Sequence, residues 1–347
     1  MLLFIFSLDY INIGIWEKLD TIRDDELRHK AANLPELFRA AFAGGTIEKY
    51  RRAWQKWVQW TTTYSEVSHC PADPFFVCIY FNDLIKDNTP ISAIISAFCG
   101  IRWGHINAGY ESPTDCQFVK LAFEGAKRLA CKSTVRRKEP FTADMIRHLV
   151  SLYDDSENLL HLRFLIICIF GFAGFFRISE LLDIQLKHIS LEKDSIEIFL
   201  EKSKTDQHRD GETVYIAQSG NSTCPLYWIK RYLRLAKLDI KKTPEYFLIC
   251  KMAKTKSGHN AHGKHPITYP TARKTFLEHV NEIFKPQSNQ YGLHSLRSGG
   301  ATAASENGVC DRLIGKRGRW SANSSVKDIY IKDSKKKRLS VSQKLGL

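Results

Sequence analysis

Several features that define common protein classes are missing from this sequence of 347 residues. Its nine cysteines form no C-x-x-C pair, and an odd, scattered set is typical of free thiols in a reducing compartment rather than of a disulfide framework. The longest apolar run, Phe164 to Phe176, has 13 residues, whereas a membrane span needs about 20. No internal repeat is present. These absences predict an intracellular protein with no membrane partner.

The apolar first residues, MLLFIFSL, lack the basic segment and the small-residue cleavage site of a secretory signal. We interpret them as the start of a hydrophobic strand or helix. Apolar residues make up 44% of the chain and charged residues 25%, which is close to the globular average and excludes disordered, collagen-like and coiled-coil classes. The length predicts two domains, each large enough for its own core.

Acidic residues are scarce in the second half of the chain. The formal net charge is +14, and residues 140–347 hold 33 basic against 21 acidic side chains, while residues 1–139 hold 18 and 16. The excess positive charge therefore lies in the second half. A field of this sign favours a polyanionic partner.

Helical periodicity dominates the first part of the chain. From Thr46 to Thr61, the side chains of Ile47, Tyr50, Trp54 and Trp57 recur at helical spacing with basic residues between them, which predicts an amphipathic helix whose aromatic stripe lies in the core. Further helices are predicted at 75–86, 91–107 and 115–130, separated by clusters of proline, glycine and asparagine. The first domain is thus predicted to be a small helical bundle.

The second part of the chain mixes helices with a short hairpin. The basic segment CKSTVRRKEP at 131–140 is predicted to be an interdomain linker, and the apolar run at 164–176 a buried helix. Period-two alternation predicts a strand at Ser195–Leu200, paired with a second strand at Thr213–Ile216. A loop is predicted at Thr255–Pro266. The predicted fold class is mainly α with one small antiparallel β-sheet.

Four segments of the second domain place polar residues next to apolar helix. They are F-R-I-S-E-L at 176–181, K-S-K-T at 202–205, L-H-S-L-R-S-G-G at 293–300, and G-R-W at 318–320 followed by D-I-Y at 328–330. His294 and Arg297 stand three residues apart, so a helix would present both on one face. Two arginines, a lysine, a histidine and a tyrosine could then converge on one phosphate.

These segments resemble the tyrosine recombinases (phage integrase family) in letters, order and spacing. That family combines R-[IV]-S-E-L, a lysine on a β-hairpin, H-x-L-R, a later histidine or tryptophan, and a nucleophilic tyrosine. The resemblance covers residues 36–333. In the first domain, G-x-x-x-P at 109–113 and G-A-K-R at 125–128 are similar to the end of the family's core-binding domain. The stretch R-S-G-G-A-T-A-A with G-R-W looks most like the recombinases of eukaryotic DIRS-type and Crypton mobile elements.

The resemblance implies a two-domain DNA clamp with five segments. These are an N-terminal extension (1–35), a helical core-binding domain (36–131), a basic linker (132–140), a catalytic domain (141–333) and a basic tail (334–347). The implied partner is double-stranded DNA. Four protomers would meet on two synapsed sites, with a monomer or dimer in the absence of DNA.

The resemblance also implies a role for each catalytic residue. Tyr330 would attack a DNA phosphodiester, Arg177 and Arg297 would bind its non-bridging oxygens, and Lys204 would protonate the leaving 5′-oxygen. His294 would assist proton transfer, and Trp320 would donate its indole N–H to the phosphate. Glu180 is interpreted as a residue that orients an arginine. No metal or cofactor is implied. The residues predicted to contact DNA are Lys49, Arg51, Arg52, Lys127, Arg128, Arg136, Arg137 and Arg319.

Alternatives remain for several of these residues and for the function. Lys202 competes with Lys204, and Trp320 also fits a place in the core. The histidines at 259, 262 and 265 would suit a metal-dependent hydrolase only on a rigid helix, and the nearby Gly258, Gly263 and Pro266 favour a loop instead. Residues 335–338 fit a nuclear import signal, a phosphate-binding tail or a solvated end. The first of these applies if the source is eukaryotic. The functional rivals are a DNA-binding protein that has lost turnover and a type IB topoisomerase.

Overall fold

The computed structural model describes residues 14–42, 44–130, 137–201, 211–256, 258–285, 290–321, 326–333 and 335–345. The chain divides into two compact units, Met1–Val135 and Arg136–Leu347, which are described one at a time. The hydrophobic start predicted at residues 1–8 lies outside the described residues, as do residues 131–136 of the predicted linker.

The described part of the first unit is helical. Its α-helices are α1 (Lys18–Thr21), α2 (Asp25–Ala31), α3 (Leu34–Ala40), α4 (Gly44–Thr61), α5 (Pro74–Lys86), α6 (Ile91–Asn107) and α7 (Gln117–Leu129). Asp73 caps α5 by accepting a hydrogen bond from the Phe75 N–H, and Pro74 occupies the first helical position. The helices predicted from periodicity are therefore present, with ends that shift by one or two residues.

An aromatic core holds the first unit together. Trp54 and Trp57 on α4 are fully buried, which confirms that the aromatic stripe belongs to the core. Trp16 joins the same core, and its Nε1 donates to the Asn107 carbonyl at 2.5 Å. Residues of the predicted N-terminal extension thus contribute to the first core, a contact between distant parts of the chain that no local pattern indicates.

The second unit is mainly α with five short strands among its described residues. Its α-helices are α8 (Ala143–Tyr153), α9 (Leu159–Ala173), α10 (Ile178–Asp183), α11 (Pro225–Leu235), α12 (Tyr269–Phe284), α13 (Leu293–Glu306), α14 (Asp311–Gly318), α15 (Val326–Tyr330) and α16 (Lys335–Gln343). Its strands are β1 (Ile189–Leu191), β2 (Ser195–Leu200), β3 (Glu212–Ala217), β4 (Cys250–Thr255) and β5 (Gly258–Pro266). The mainly α fold class is confirmed.

Helix α9 forms the centre of the second unit. Apart from His161 and Arg163 its residues are apolar, and neighbours cover it from several directions: it packs against α8, α10, α11, α13 and β5. The predicted buried helix is therefore confirmed, but it ends at Ala173, before the last residues of the apolar run. Those residues, Phe175 and Phe176, form the turn that leads into α10.

The strands form two antiparallel sheets where one was predicted. β1, β2 and β3 pair in that order, with Ile196 opposite Ile216 and Ile198 opposite Val214, so the predicted hairpin is present. β4 and β5 form a separate two-stranded sheet with Lys251 opposite His262. The predicted loop at Thr255–Pro266 is therefore wrong, because most of that segment is β5.

Candidate active site

Arg297 lies at the base of the candidate site on helix α13. Its side chain is fully buried, Nη1 donates to the Phe175 carbonyl at 2.5 Å, and Nη2 donates to the Gly318 carbonyl. Its Nε is also buried and finds no hydrogen-bond partner among the residues that the structure describes. Burial and the neighbouring charges of Arg177 and Arg319 lower the pKa of Arg297, although a guanidinium keeps its charge at neutral pH.

Two glycines allow α13 to lie directly on neighbouring backbone. A Cβ atom at Gly299 would meet the Phe141 carbonyl oxygen, and one at Gly300 would meet the Phe172 carbonyl oxygen, each at less than 3.0 Å. This close approach brings Arg297 under the turn at Phe175. The S-G-G motif therefore has a steric explanation that is independent of any ligand.

We expect Gly300→Ala to destabilise the second unit by about 1–3 kcal/mol and to lower its melting temperature by about 5 °C, since the added methyl group has no room against backbone. Gly315→Ala on α14 is the matched control, because a Cβ there meets nothing within 4 Å and alanine favours the helix. Thermal unfolding followed by circular dichroism measures both variants. An equal melting temperature for Gly300→Ala and wild type would contradict the steric explanation.

Glu180 joins three arginines through one buried carboxylate. Its Oε1 accepts from Arg177 Nη1 at 2.5 Å and its Oε2 from the Arg177 backbone N–H at 2.8 Å. Arg319 Nη2 donates to Oε2 at 2.6 Å, and Arg297 Nη1 lies 3.7 Å from the same oxygen. Burial alone would raise the pKa of Glu180, but the charge and side-chain hydrogen bond of Arg319, together with the backbone hydrogen bond and charge of Arg177, lower it on balance. Glu180 is therefore an ionised partner for several guanidinium groups.

This cluster has more positive than negative charge. Three guanidinium groups surround a single carboxylate, and burying such an excess is costly unless another anion is bound nearby. Planar guanidinium donors match the oxygen geometry of a phosphate. The cluster is thus suited to bind one phosphate group, as the sequence motifs predict.

Tyr330 lies beside this cluster. Its ring stacks on Trp320 with 5.2 Å between ring centroids, and the Arg297 guanidinium carbon is 5.1 Å from the Tyr330 centroid. The backbone carbonyl of Tyr330 accepts from the hydroxyls of Ser298 and Thr302, so α13 positions both Arg297 and the tyrosine segment. These two hydroxyl contacts join residues that are far apart in the chain, so no local sequence pattern indicates them.

Trp320 is 8% exposed and closes one side of the site. The Arg297 guanidinium carbon lies 4.9 Å from the centroid of its ring. Its buried indole Nε1 has no hydrogen-bond acceptor within the described part of the chain. A buried N–H of this kind is expected to have an acceptor, which a bound phosphate oxygen would supply.

Two predicted catalytic residues remain, His294 and Lys204. His294 is exposed in the first turn of α13, three residues before Arg297. Lys204 and its competitor Lys202 lie outside the described residues, between β2 and β3. The structure therefore brings together Arg177, Arg297 and Tyr330 with Trp320.

Two of the three predicted DNA-contacting residues of α4 have a protein partner. Arg51 and Arg52 both bind Glu48, at 3.0 and 2.7 Å. These bonds lower the pKa of Glu48. Lys49 and Arg52 line a cavity of about 530 Å³ together with residues of α6.

The other predicted DNA-contacting residues differ in exposure. Lys127 pairs with Glu124 at 2.5 Å, and Arg128 lies in the last turn of α7. Arg137 is exposed, and Arg136 lies outside the described residues. Arg319 is buried and forms an internal ion pair with Glu180.

The described residues contain no group of three or more histidine, cysteine, aspartate or glutamate side chains arranged to hold a metal ion. Histidines 259, 262 and 265 lie along strand β5. No helix within the described ranges is long and apolar enough to cross a membrane.

The comparisons with known proteins concern the family and the fold. The model of the phage integrase family matches residues 139–337. An integrase/recombinase XerD homolog of Selenomonas ruminantium is 28% identical over 299 residues, which cover 82% of this chain and 80% of that protein.

Solved structures show the same fold at low sequence identity. A XerH site-specific recombinase bound to a palindromic difH substrate gives a TM-score of 0.58 at 14% identity, covering 86% of this chain and 79% of that one. A lambda integrase dimer bound to a COC′ core site gives 0.57 at 14% identity, covering 94% and 80%. Since the family model covers more than half of the chain, this protein belongs to the phage integrase family, the tyrosine recombinases that its motifs resemble.

Proposed function

We propose that this protein is a site-specific recombinase that cleaves and rejoins DNA strands through a 3′-phosphotyrosine intermediate. The observation that carries the proposal is the position of Tyr330, whose ring lies 5.1 Å from the guanidinium of the fully buried Arg297. Beside them is a carboxylate-bridged arginine cluster with excess positive charge. A nucleophile next to a phosphate-binding cluster is the arrangement that phosphoryl transfer to a side chain requires.

The proposed cleavage step begins at the tyrosine hydroxyl. Tyr330 Oη loses its proton and attacks phosphorus, the bond from phosphorus to the 5′-oxygen breaks, and that oxygen takes a proton. Cleavage leaves a 3′-phosphotyrosine and a free 5′-hydroxyl. The reverse attack by a 5′-hydroxyl rejoins a strand, and no external energy source is needed because the covalent bond stores the energy.

The other residues stabilise charge and transfer protons in this proposal. Arg177 and Arg297 bind the non-bridging oxygens, where negative charge grows in the transition state. Trp320 directs its buried Nε1 hydrogen to the same phosphate. Lys204 protonates the 5′-oxygen and His294 assists proton transfer at Tyr330, as the family resemblance implies.

Double-stranded DNA is the proposed substrate. The XerH and lambda integrase structures that share this fold hold DNA, and the charge of the second half of this chain suits a polyanion. Four protomers on two synapsed sites are the proposed active assembly. A mobile-element source and, for a eukaryotic source, a nuclear location remain predictions from the motifs.

A covalent-trapping assay tests the proposal. Purified wild-type protein is incubated in EDTA with nicked duplexes taken from the DNA that flanks its gene, since loss of the short strand beyond a nick prevents rejoining. We expect a protein–DNA band that survives SDS and disappears after proteinase treatment. We expect EDTA to leave its yield unchanged, because guanidinium groups supply the positive charge.

Three results would count against the proposal. Strand cleavage that gives no covalent band and stops in EDTA would indicate hydrolysis that depends on a metal ion. DNA binding that weakens steeply with salt, combined with no covalent band on any duplex from a site-selection library, would favour the DNA-binding protein without turnover. Relaxation of supercoiled plasmid at no specific site would instead identify the topoisomerase activity.

A further inference from the structure

We propose that Arg319 is a positioning residue that sets the geometry of both catalytic arginines. The inference rests on the proposed function and goes beyond it, because the sequence analysis places Arg319 among the residues that contact DNA. Its side chain is only 1% exposed and forms an ion pair with Glu180 at 2.6 Å.

The backbone at Arg319 is the first observation. Arg319 follows α14 with φ of 52°, in the left-handed region that favours glycine. Glycine would adopt this conformation without strain and would let the chain turn toward Trp320. A long side chain that occupies such a position near an active site is expected to make contacts that offset the strain.

The contacts of the Arg319 guanidinium are the second observation. Nη2 donates to the Phe175 carbonyl at 2.9 Å and to Glu180 Oε2 at 2.6 Å. Nη1 donates to the Arg317 carbonyl at 2.8 Å, and the guanidinium carbon lies 5.3 Å from the centroid of the Phe176 ring. Arg319 thus joins the end of α14 to the turn before α10.

Both acceptors of Nη2 also hold a catalytic arginine. The Phe175 carbonyl accepts from Arg297 Nη1, and Glu180 accepts from the side chain and backbone of Arg177. Phe175 is itself left-handed, with φ of 49°, which directs its carbonyl at both guanidinium groups. A displacement of either acceptor would therefore displace a phosphate-binding group.

Charge gives Arg319 a second effect on the site. Glu180 is an anion beside the place where the phosphate anion must bind, and it competes with phosphate for the guanidinium groups of Arg177 and Arg297. Arg319 neutralises that carboxylate, and its contact with Oε2 is shorter than those of Arg297 and of the Arg177 backbone N–H. The catalytic arginines then keep donors available for substrate.

Single-turnover cleavage of the nicked duplex tests the proposal with two variants. Arg319→Gly removes the guanidinium and suits the left-handed backbone, while Arg319→Lys keeps the charge but not the fork of donors. We expect Arg319→Gly to cleave about 100-fold more slowly at saturating protein and to bind DNA with unchanged affinity. We expect Arg319→Lys to recover part of the rate. Arg234→Ala, which removes an exposed arginine of α11, controls for net charge.

The pH dependence separates positioning through Glu180 from a general loss of structure. Without Arg319 the pKa of Glu180 rises, since burial is then opposed by fewer cations. Protonation of Glu180 as the pH falls then relieves its competition with phosphate, so the rate of Arg319→Gly relative to wild type should rise toward low pH. The double variant Glu180→Gln/Arg319→Gly has no such carboxyl and should lose that trend. The charged or titratable groups that face Glu180 or share its cavity are Arg177, Arg297, Arg319, Asp183, His188 and Glu201.

The possible results are distinct. If wild type cleaves DNA and Arg319→Gly cleaves it equally fast, the proposal is overturned and the recombinase function stays intact. The same holds if weaker DNA binding by Arg319→Gly accounts for its whole loss of rate. A ratio of rates that is the same at every pH would overturn the charge effect. If Arg319→Gly unfolds, the test rests on Arg319→Lys. Cleavage by Arg319→Lys at the wild-type rate, with no pH trend, would overturn the proposal. Absence of a wild-type adduct would refute the proposed function itself.

Discussion

Replacing Tyr330 by phenylalanine is expected to abolish the covalent protein–DNA adduct and to leave DNA affinity unchanged. Phenylalanine keeps the ring that stacks on Trp320 and lies over Arg297, so the local structure should persist. The substitution removes only the hydroxyl that attacks phosphorus. Loss of a nucleophile that no neighbour replaces should reduce cleavage by more than about 10⁴-fold.

A gel in SDS and a filter-binding titration measure the two halves of this expectation. Tyr227→Phe is the control, because Tyr227 is an exposed tyrosine of α11 at 51% exposure and is remote in sequence from the motifs. It should form the adduct at the wild-type rate. An adduct of undiminished yield with Tyr330→Phe would remove Tyr330 as the nucleophile and direct attention to the other tyrosines.

The catalytic motifs were predictable from sequence because each is a short segment with fixed spacing. The segment R-I-S-E-L is typical of a helix start, and in the structure α10 begins at Ile178 with Glu180 bound to Arg177. The period of the aromatic residues likewise predicted α4. In both places the signal lies within one turn or a few turns of the same helix, where local geometry follows from sequence.

The β4–β5 sheet was missed because its sequence lacks the alternation of a half-buried strand. β5 has the sequence GHNAHGKHP and is largely polar, so it lacks the alternation of apolar and polar residues that predicts a strand. The strand instead depends on ladder bonds to β4 and on Gly263, where a Cβ atom would collide with the Tyr246 ring. Such contacts become visible only after the chain has folded.

Arg319 shows the same limit within the active site. In the sequence it is one more basic residue beside a tryptophan, and the net charge of the second half favours a DNA contact. Its left-handed backbone and its bond to Glu180, 139 residues away, depend on tertiary structure. The residue types in this region predicted its chemistry. The partner of each charged side chain could be identified only from the tertiary structure.

Replacing Arg297 by lysine should reduce the rate of DNA cleavage by about 10²–10³-fold, because one planar fork of donors is removed from the developing charge. In wild type, Nη1 and Nη2 donate to the carbonyls of Phe175 and Gly318, which leaves Nε as the donor for phosphate. A lysine ammonium cannot bind both carbonyls and a phosphate in the same geometry. Its positive charge is retained, so simple loss of charge does not explain the effect.

Single-turnover cleavage at saturating protein, together with thermal unfolding, measures this effect. The control Arg234→Lys makes the same change at an exposed site of α11 and should leave both quantities unchanged. A lower melting temperature for Arg297→Lys is expected as well, since Arg297 links α13 to the ends of α9 and α14. Cleavage must therefore be assayed well below that temperature. If folded Arg297→Lys protein cleaves at the wild-type rate, Arg297 is a structural clamp and the phosphate must be bound by Arg177 and Trp320 without it.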